Sequence, residues 1–511
     1  MNNKKHFIHI GLGFILSAVF LLSCKSVKLS DAEEKLKIGE YYEAASIYRK
    51  VYTKTSPSKR DLRGYIAYRM AECNRMINNT DRAISGYMNA LRYNYPDSII
   101  NLRLGQMLQR KGRYAEAIKQ YDSYLAYNPS SQLAFNGIEG SNNAPLWKKS
   151  PTRYEVKRME KFNSRRSEFS PMLTGEKHDQ LYFASSRTKN KEAKLNAITG
   201  QYNNNFFQVK QDEKGNWLSP VELEDEVNTD FDEGTPSFTS DVNTMYYTYC
   251  SQDETGNRTS EIYVSNRSSA KWGKGSRVNI VKDSITALGH PSISPDGKYL
   301  YFVSDAVGGF GGKDIYRCKI SGSETGPMEN LGEEINTSGD EMFPYVRDSV
   351  TLYFASNGHP GMGGLDLFKA TKDSLGNWSV ENMGFPINSS SDDFGITFEG
   401  KKEKGFFSSN RNDAKGFDHL YSFEKPVITV HIEGFVNDVD EYPIENATVR
   451  IVGRDGLNAK VPTKKDGSYQ VELERDIKYV MMASAQGYLN QNYELHTSPE
   501  EKNETYIVDF Y

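Results

Sequence analysis

Two kinds of side-chain grouping in this 511-residue chain have the types and spacing to do chemistry. Adjacent acids, Asp232-Glu233, Asp340-Glu341 and Asp392-Asp393, are what acid–base catalysis uses, with one carboxyl protonated and its neighbour ionised. Each pair, however, stands just ahead of a strand-like run. A catalytic pair is needed once, so its repetition reads as hydrogen bonding that fixes the start of a structural unit; a divalent ion on a shared axis is the alternative. Gly308-Gly309-Phe310-Gly311-Gly312-Lys313 has the look of a phosphate-cradling loop. It departs from one in detail: Val307 precedes it, Asp314 replaces the Ser or Thr, and a strand follows instead of a helix. Gly358-His359-Pro360-Gly361-Met362-Gly363-Gly364 fills the same place in the next unit, so both are expected to share a loop conformation that needs φ > 0.

Other catalytic constellations are missing from the sequence. The eight histidines form neither HExxH nor a paired metal spacing, and no Gly-x-Ser-x-Gly occurs. His290 and His359 read as hydrogen-bonded residues of turns. Cys73, Cys250 and Cys318 are far apart, contain no CxxC, and read as single buried thiols. Net charge is −4, which points away from nucleic acid. The chain therefore reads as a non-enzyme, with no catalytic, metal-ligating or cofactor-binding residue and no cofactor.

The N-terminus carries a different chemistry. Lys4 and Lys5 precede an apolar run from Phe7 to Leu22, which ends in Leu21-Leu22-Ser23-Cys24. This is a secretory leader, too short to span a bilayer. Residues 1–24 resemble the leader and lipobox of bacterial lipoproteins, which implies that Cys24 is lipidated and becomes the mature N-terminus. Lys25, where an acid can retain such proteins in the inner membrane, favours an outer-membrane anchor, and the lack of an acidic cluster after Cys24 favours the periplasmic side.

Three sets of elements would position everything else. Over residues 31–140, Gly39-Glu40-Tyr41-Tyr42-Glu43-Ala44 and Gly112-Arg113-Tyr114-Ala115-Glu116-Ala117 share one pattern, and Ala83 and Ala117 lie 34 positions apart. This resembles about three tetratricopeptide repeats, an all-α solenoid whose groove binds peptides or proteins. Over 151–425 a unit recurs five times: an acid or turn, a first strand, then a run such as Leu181-Tyr182-Phe183-Ala184, Leu300-Tyr301-Phe302-Val303 or Leu352-Tyr353-Phe354-Ala355, then Asp314-Ile315-Tyr316, Asp366-Leu367-Phe368 or His419-Leu420-Tyr421, with fourth strands near Trp217, Trp272 and Trp378. Four strands per unit of about 50 residues make a propeller blade, and the motif resembles the WD-like blades of TolB-type periplasmic proteins. The fifth copy lacks a fourth strand, and Tyr154 to Met159 is expected to supply it, giving five blades, with six as the alternative. Residues 427–511, with the Asp466-Gly467 turn and Pro443-Ile444-Glu445-Asn446-Ala447, resemble the non-catalytic carboxypeptidase regulatory-like domain, a small β-sandwich.

This order of modules resembles the OmpA-family envelope lipoproteins of Bacteroidota, including the PorE-like group associated with type IX secretion. The resemblance implies an outer-membrane lipid anchor, protein partners in a secretion or envelope-anchoring complex, and a scaffolding role. Those proteins end in an OmpA-like domain that grips peptidoglycan. No such segment is read before Tyr511, so a shortened relative or a truncated sequence is expected, and no peptidoglycan-binding residue is carried over. A glycan- or peptide-binding lipoprotein that uses the propeller funnel is the alternative function, and a hydrolase with an unrecognised site is a third.

Overall fold

The computed structural model describes residues 27–224, 226–252, 258–268, 271–282 and 286–511. Cys24 and the leader lie outside the described residues. The chain divides into two compact units, one reaching to Glu424 and one spanning Lys425–Tyr511.

Among the described residues, the first unit begins with seven helices: α1 (Leu29–Lys37), α2 (Tyr41–Lys54), α3 (Arg60–Met76), α4 (Thr80–Arg92), α5 (Ile99–Arg110), α6 (Tyr114–Leu125) and α7 (Gln132–Lys149). They stack as α1/α2, α3/α4 and α5/α6, with α7 packed on the last pair. Ala44, Ala83 and Ala117 are fully buried where the paired helices touch. At Gly86 a Cβ would stand 2.7 Å from that of Ala71, so only glycine allows the helices to approach this closely. Four residues beyond each of those alanines a buried tyrosine reaches back to the preceding helix. Tyr48 donates to Glu33 at 2.7 Å, Tyr87 donates to Glu72, and Tyr121 donates to Gln109 at 2.6 Å.

The rest of the first unit is a propeller of five antiparallel blades among the described residues. Its inner strands are Glu168–Thr174, Asp232–Phe238, Leu288–Ile293, Glu341–Val346 and Asp393–Phe398, and each touches the next in a closed ring. The second strands, such as Gln180–Ser185 and Thr351–Ser356, are buried on both faces, which is why they read as unbroken apolar runs. Glu155–Arg158 pairs with His419–Glu424, setting Val156 opposite Phe423, and completes the fifth blade. Five blades are thus observed, closed by a strand from the N-terminal side.

Every inner strand carries a bulge, where two of its residues oppose one on the partner. At the bulge the backbone is left-handed in all five copies: Ser170 (φ 52°), Thr235 (51°), His290 (49°), Phe343 (53°) and Gly395 (60°). In four copies proline follows, a residue with no N–H to lose from the ladder. His290 therefore lies inside an inner strand and not in a turn. Its ring stacks on Phe343, with centroids 3.9 Å apart, and its Nδ1 accepts from the Phe343 N–H at 3.3 Å. The five bulges converge on the axis and leave a cavity of only about 30 Å³, room for one water.

The second unit is a β-sandwich. One sheet orders Ser468–Leu473, Val430–Phe435 and Glu504–Ile507; the other orders Asn458–Pro462, Thr448–Gly453, Lys478–Ser484 and Gln491–His496. Ile432, Val449, Ile451 and Met481 fill the space between them, and Tyr469 donates to the Val508 carbonyl at 2.6 Å. No helix among the described residues is long and apolar enough to cross a membrane.

Candidate functional site at the repeat–propeller junction

The acid pairs resolve into a longer repeated pattern, Asn-(Ser/Thr)-x-x-x-(Glu/Asp). It runs from Asn163 to Glu168, Asn228 to Glu233, Asn336 to Glu341 and Asn388 to Asp393. Each asparagine clips two blades together. The Oδ1 of Asn388 accepts from the Leu367 N–H at 2.7 Å, and its Nδ2 donates to the Leu367 carbonyl at 2.8 Å. Asn163, Asn228 and Asn336 do the same to Leu420, Phe206 and Ile315. Each Ser or Thr donates backbone and side-chain hydrogens to the acid four residues on, as Thr337 does to Glu341 at 2.7 Å. These carboxylates are buried and work as struts. Asparagine five residues ahead of an acid was the signal in the sequence, and the reading of acid pairs alone missed it.

The struts differ in charge compensation. Glu168 meets Arg187 at 2.9 Å and Asp393 meets Arg411 at 2.5 Å. The matching positions in the second and fourth blades are Ser251 and Gly358. Burial pushes Glu233 up to about 8 and Glu341 up to about 7, their hydroxyl and amide donors opposing only in part. Burial also acts on Glu168, but the His419 hydrogen bond and Arg187 outweigh it and hold that carboxyl below its ordinary value.

The two Gly-rich loops are built by close approach, not by the left-handed backbone expected of them. In them only Gly308 has positive φ, at 94°. A Cβ at Gly309 would stand 2.3 Å from the Asp314 carboxylate, and one at Gly361 2.3 Å from that of Asp366. At Gly364 it would lie 2.1 Å from Asp392 Oδ1. The loops wrap the carboxylates that begin the third strands: Phe310 and Gly311 donate to Asp314, and Gly363 donates to Asp366 at 2.9 Å. His359 belongs to the second loop, where its Nε2 lies 2.9 Å from the Ile335 carbonyl oxygen.

This loop face is where the helical repeats dock. Gln109 of α5 donates to the Gly361 carbonyl at 2.9 Å, and Asn136 of α7 donates to the Gly358 carbonyl at 2.7 Å. Arg110, the last residue of α5, forms an ion pair with Asp392. Gly140 of α7 presses on Gly361, where a Cβ would meet the carbonyl oxygen at 2.2 Å. On the far side the first turn of α2 is tied to the first blade, as the Tyr42 N–H donates to the Ile198 carbonyl at 3.0 Å. The repeats thus face the propeller at α5 and α7.

Between the repeats and the propeller lies a cavity of about 440 Å³. Its floor is Phe169, Met342, Phe343 and Phe394, at the axial tips of the inner strands. Arg75 and Arg103 line the helical wall, and Asp366, Asp392 and Asp418 the propeller wall. Of the groups singled out in the sequence, the second Gly loop, His359, Asp340 and Asp392 come together here. Glu233, His290 and Cys250 do not. Cys73 and Cys318 are buried thiols, whereas Cys250 is exposed instead of buried, and the three form no disulfide. Among the described residues no group of three or more His, Cys, Asp or Glu side chains is arranged to hold a metal ion.

Residues 65–98 and 101–131 match the tetratricopeptide repeat, which covers α3 to α6. Residues 431–510 match the carboxypeptidase regulatory-like domain. No curated protein matches the chain. Among solved structures, TolB from Acinetobacter baumannii is 19% identical over 52% of this chain and 58% of its own, with a TM-score of 0.29. A thermostable family-43 glycoside hydrolase is 14% identical over 52% of this chain and 91% of its own, at 0.34, and the MamA protein 18% over 24% and 64%, at 0.21. The chain is a multidomain protein that joins tetratricopeptide repeats, a five-bladed propeller and a carboxypeptidase regulatory-like sandwich.

Proposed function

We propose that the protein is a non-catalytic, lipid-anchored scaffold of the outer membrane, facing the periplasm, whose first unit grips protein partners. The observation that supports this reading is the fastening of the repeats to the propeller by Gln109, Arg110 and Asn136. Two modules of the interaction type are held as one body, which presents a composite surface at little entropic cost on binding. The tempting acids and glycines of the blades are used in holding the blades together. The order of modules, set against the envelope lipoproteins it resembles, points to partners in a secretion or envelope-anchoring complex of the type IX kind.

Mild crosslinking of membranes followed by capture of the full chain tests the reading. Specific protein partners are expected, and an empty capture would sink it. Replacing Cys24 by Ser is expected to move the chain from the membrane to the soluble fraction; a chain that stays in the membrane fraction contradicts the anchor.

A second reading, a ligand-binding lipoprotein, is favoured by the cavity of about 440 Å³, within the range of small-ligand sites, and by its aromatic floor. Screening glycans and peptides against the full chain separates the two.

A further inference from the structure

The propeller wall of the junction cavity is short of cations. Asp366, Asp392 and Asp418 line it, and the repeats send them one guanidinium, Arg110, which pairs with Asp392 and also donates to Asn78 at 3.3 Å. Arg75, on the opposite wall, is held by Glu72 at 2.8 Å, and Arg103 by Gln106 at 3.1 Å. No lysine lines the cavity among the described residues.

Two carboxyl oxygens on this wall are sealed from solvent yet meet no hydrogen-bond partner, Asp366 Oδ1 and Asp418 Oδ1. Asp366 is fully buried. The third blade shows what a completed version of its position looks like. There Asp314 receives Phe310 and Gly311 N–H groups and the side-chain amide of Asn330 at 2.9 Å. In the fourth blade the matching Asn382 turns away and donates to the Pro360 carbonyl at 3.2 Å. The donor lost to Asp366 is lost in a blade that borders the cavity. An unanswered buried carboxyl oxygen is costly unless a donor arrives from elsewhere.

We propose that this wall binds one ammonium or guanidinium group, carried by a lysine or arginine side chain of a partner polypeptide. The head group pairs with the Asp366 and Asp418 carboxyls of this wall, and the aliphatic stem lies on Phe169, Phe343 and Phe394. The cavity holds a long side chain and its flanking backbone but no folded element. Met76, 45% exposed, marks its open side. Burial and the neighbouring Asp393 and Asp392 charges raise Asp366 well above the ordinary carboxyl range, and burial and Asp392 raise Asp418 to about 7, the strain an incoming cation relieves. The choice of a polypeptide source rests on the scaffold reading above.

Calorimetric titration of the full chain with acetyl-Gly-Lys-Gly-amide tests this, beside the norleucine analogue and 1,5-diaminopentane. The lysine peptide is expected to bind saturably and the norleucine peptide at least tenfold more weakly. Asp418→Asn is expected to weaken lysine-peptide binding at least tenfold with the melting temperature kept. Asp366→Asn should do likewise, and because it also disturbs a loop contact, Asp418→Asn decides if that variant fails to fold. Equal binding of the two peptides, binding of neither, or unchanged binding by Asp418→Asn would overturn the site. Diamine binding without peptide binding would overturn the polypeptide source. The two readings fail separately: an empty membrane capture with lysine-peptide binding intact sinks the scaffold, and partner capture with no lysine-peptide binding sinks this site.

Discussion

The side-chain amide of Gln109 is shared between two modules, its nitrogen donating to the Gly361 carbonyl at 2.9 Å and its oxygen accepting from the Tyr121 hydroxyl at 2.6 Å. In the first two repeats the tyrosine partners are Glu33 and Glu72, which accept from Tyr48 and Tyr87 one helical turn farther from the helix end than Gln109. An acid serves where only acceptance is needed. The third repeat must also donate, and only the amide does both.

Replacing Gln109 with Glu should therefore loosen the docking while leaving the helical repeats folded. The Gly361 carbonyl loses its donor and faces a buried carboxylate, a cost of about 1–3 kcal/mol. Faster hydrogen exchange in the loop around Gly361, with the helices still protected, is the expected signature. An unchanged exchange pattern would count against the shared amide.

Arg110 and Asp392 should behave as a buried pair. Arg110→Met strands a carboxylate that is 7% exposed and is expected to cost about 3–5 kcal/mol, whereas Arg110→Met with Asp392→Leu costs much less. Denaturant midpoints for the two single variants and the double variant give the coupling. Additive losses would show that the pair is not coupled.

Stability should fall as pH rises through neutrality. Glu233 and Glu341 are held at about 8 and about 7, above an unfolded carboxyl value of about 4.3, so the folded chain binds protons that the unfolded chain releases. Their contribution is complete below the unfolded value and is lost as pH passes through 7 to 8. Glu233→Gln, which places its amide nitrogen where Oε2 has no partner, should raise the melting temperature at pH 8 and flatten its pH dependence. A propeller equally stable at pH 5 and pH 8 would refute this.

Removing residues 154–160 should open the ring. The deletion exposes the edge of His419–Glu424 and takes away the Tyr154 hydroxyl that donates to Glu403 at 2.5 Å. Broad, non-cooperative melting and self-association in sedimentation are expected. A monomer with an unchanged melting temperature would show that the strand is dispensable.

Gly364→Ala should disturb the same ion pair from the propeller side, because its Cβ would stand 2.1 Å from Asp392 Oδ1 and 3.0 Å from Arg110 Nε. A loss of about 1–3 kcal/mol is expected from overpacking. The same change at Gly376, which has open space, tests a different matter: its φ of 93° makes any loss one of backbone strain alone.

The blades were legible in the sequence because a strand buried on both faces leaves an apolar run such as Leu352 to Ala355 that nothing on the surface imitates. The closing strand was legible from what the fifth copy lacked. The docking was not, since Gln109 and Asn136 look like ordinary polar residues of helices, and their partners are backbone carbonyls that carry no sequence signal. The loops misled in an instructive way: glycine recurs at Gly309 and Gly361 because a carboxylate fills the space of a side chain, and composition alone does not separate that cause from a left-handed backbone. The bulges had left a trace in the prolines after Ser170, Thr235, His290 and Phe343, since proline suits a strand where the ladder is already broken.

Those five bulges have a consequence for traffic through the molecule. With the axis shut down to about 30 Å³, the chamber beneath the helices is a cul-de-sac. Whatever enters between the helices and the blades must leave by the side it came from. A polypeptide cannot be threaded through this ring; it can only be sampled there, one side chain at a time, and let go.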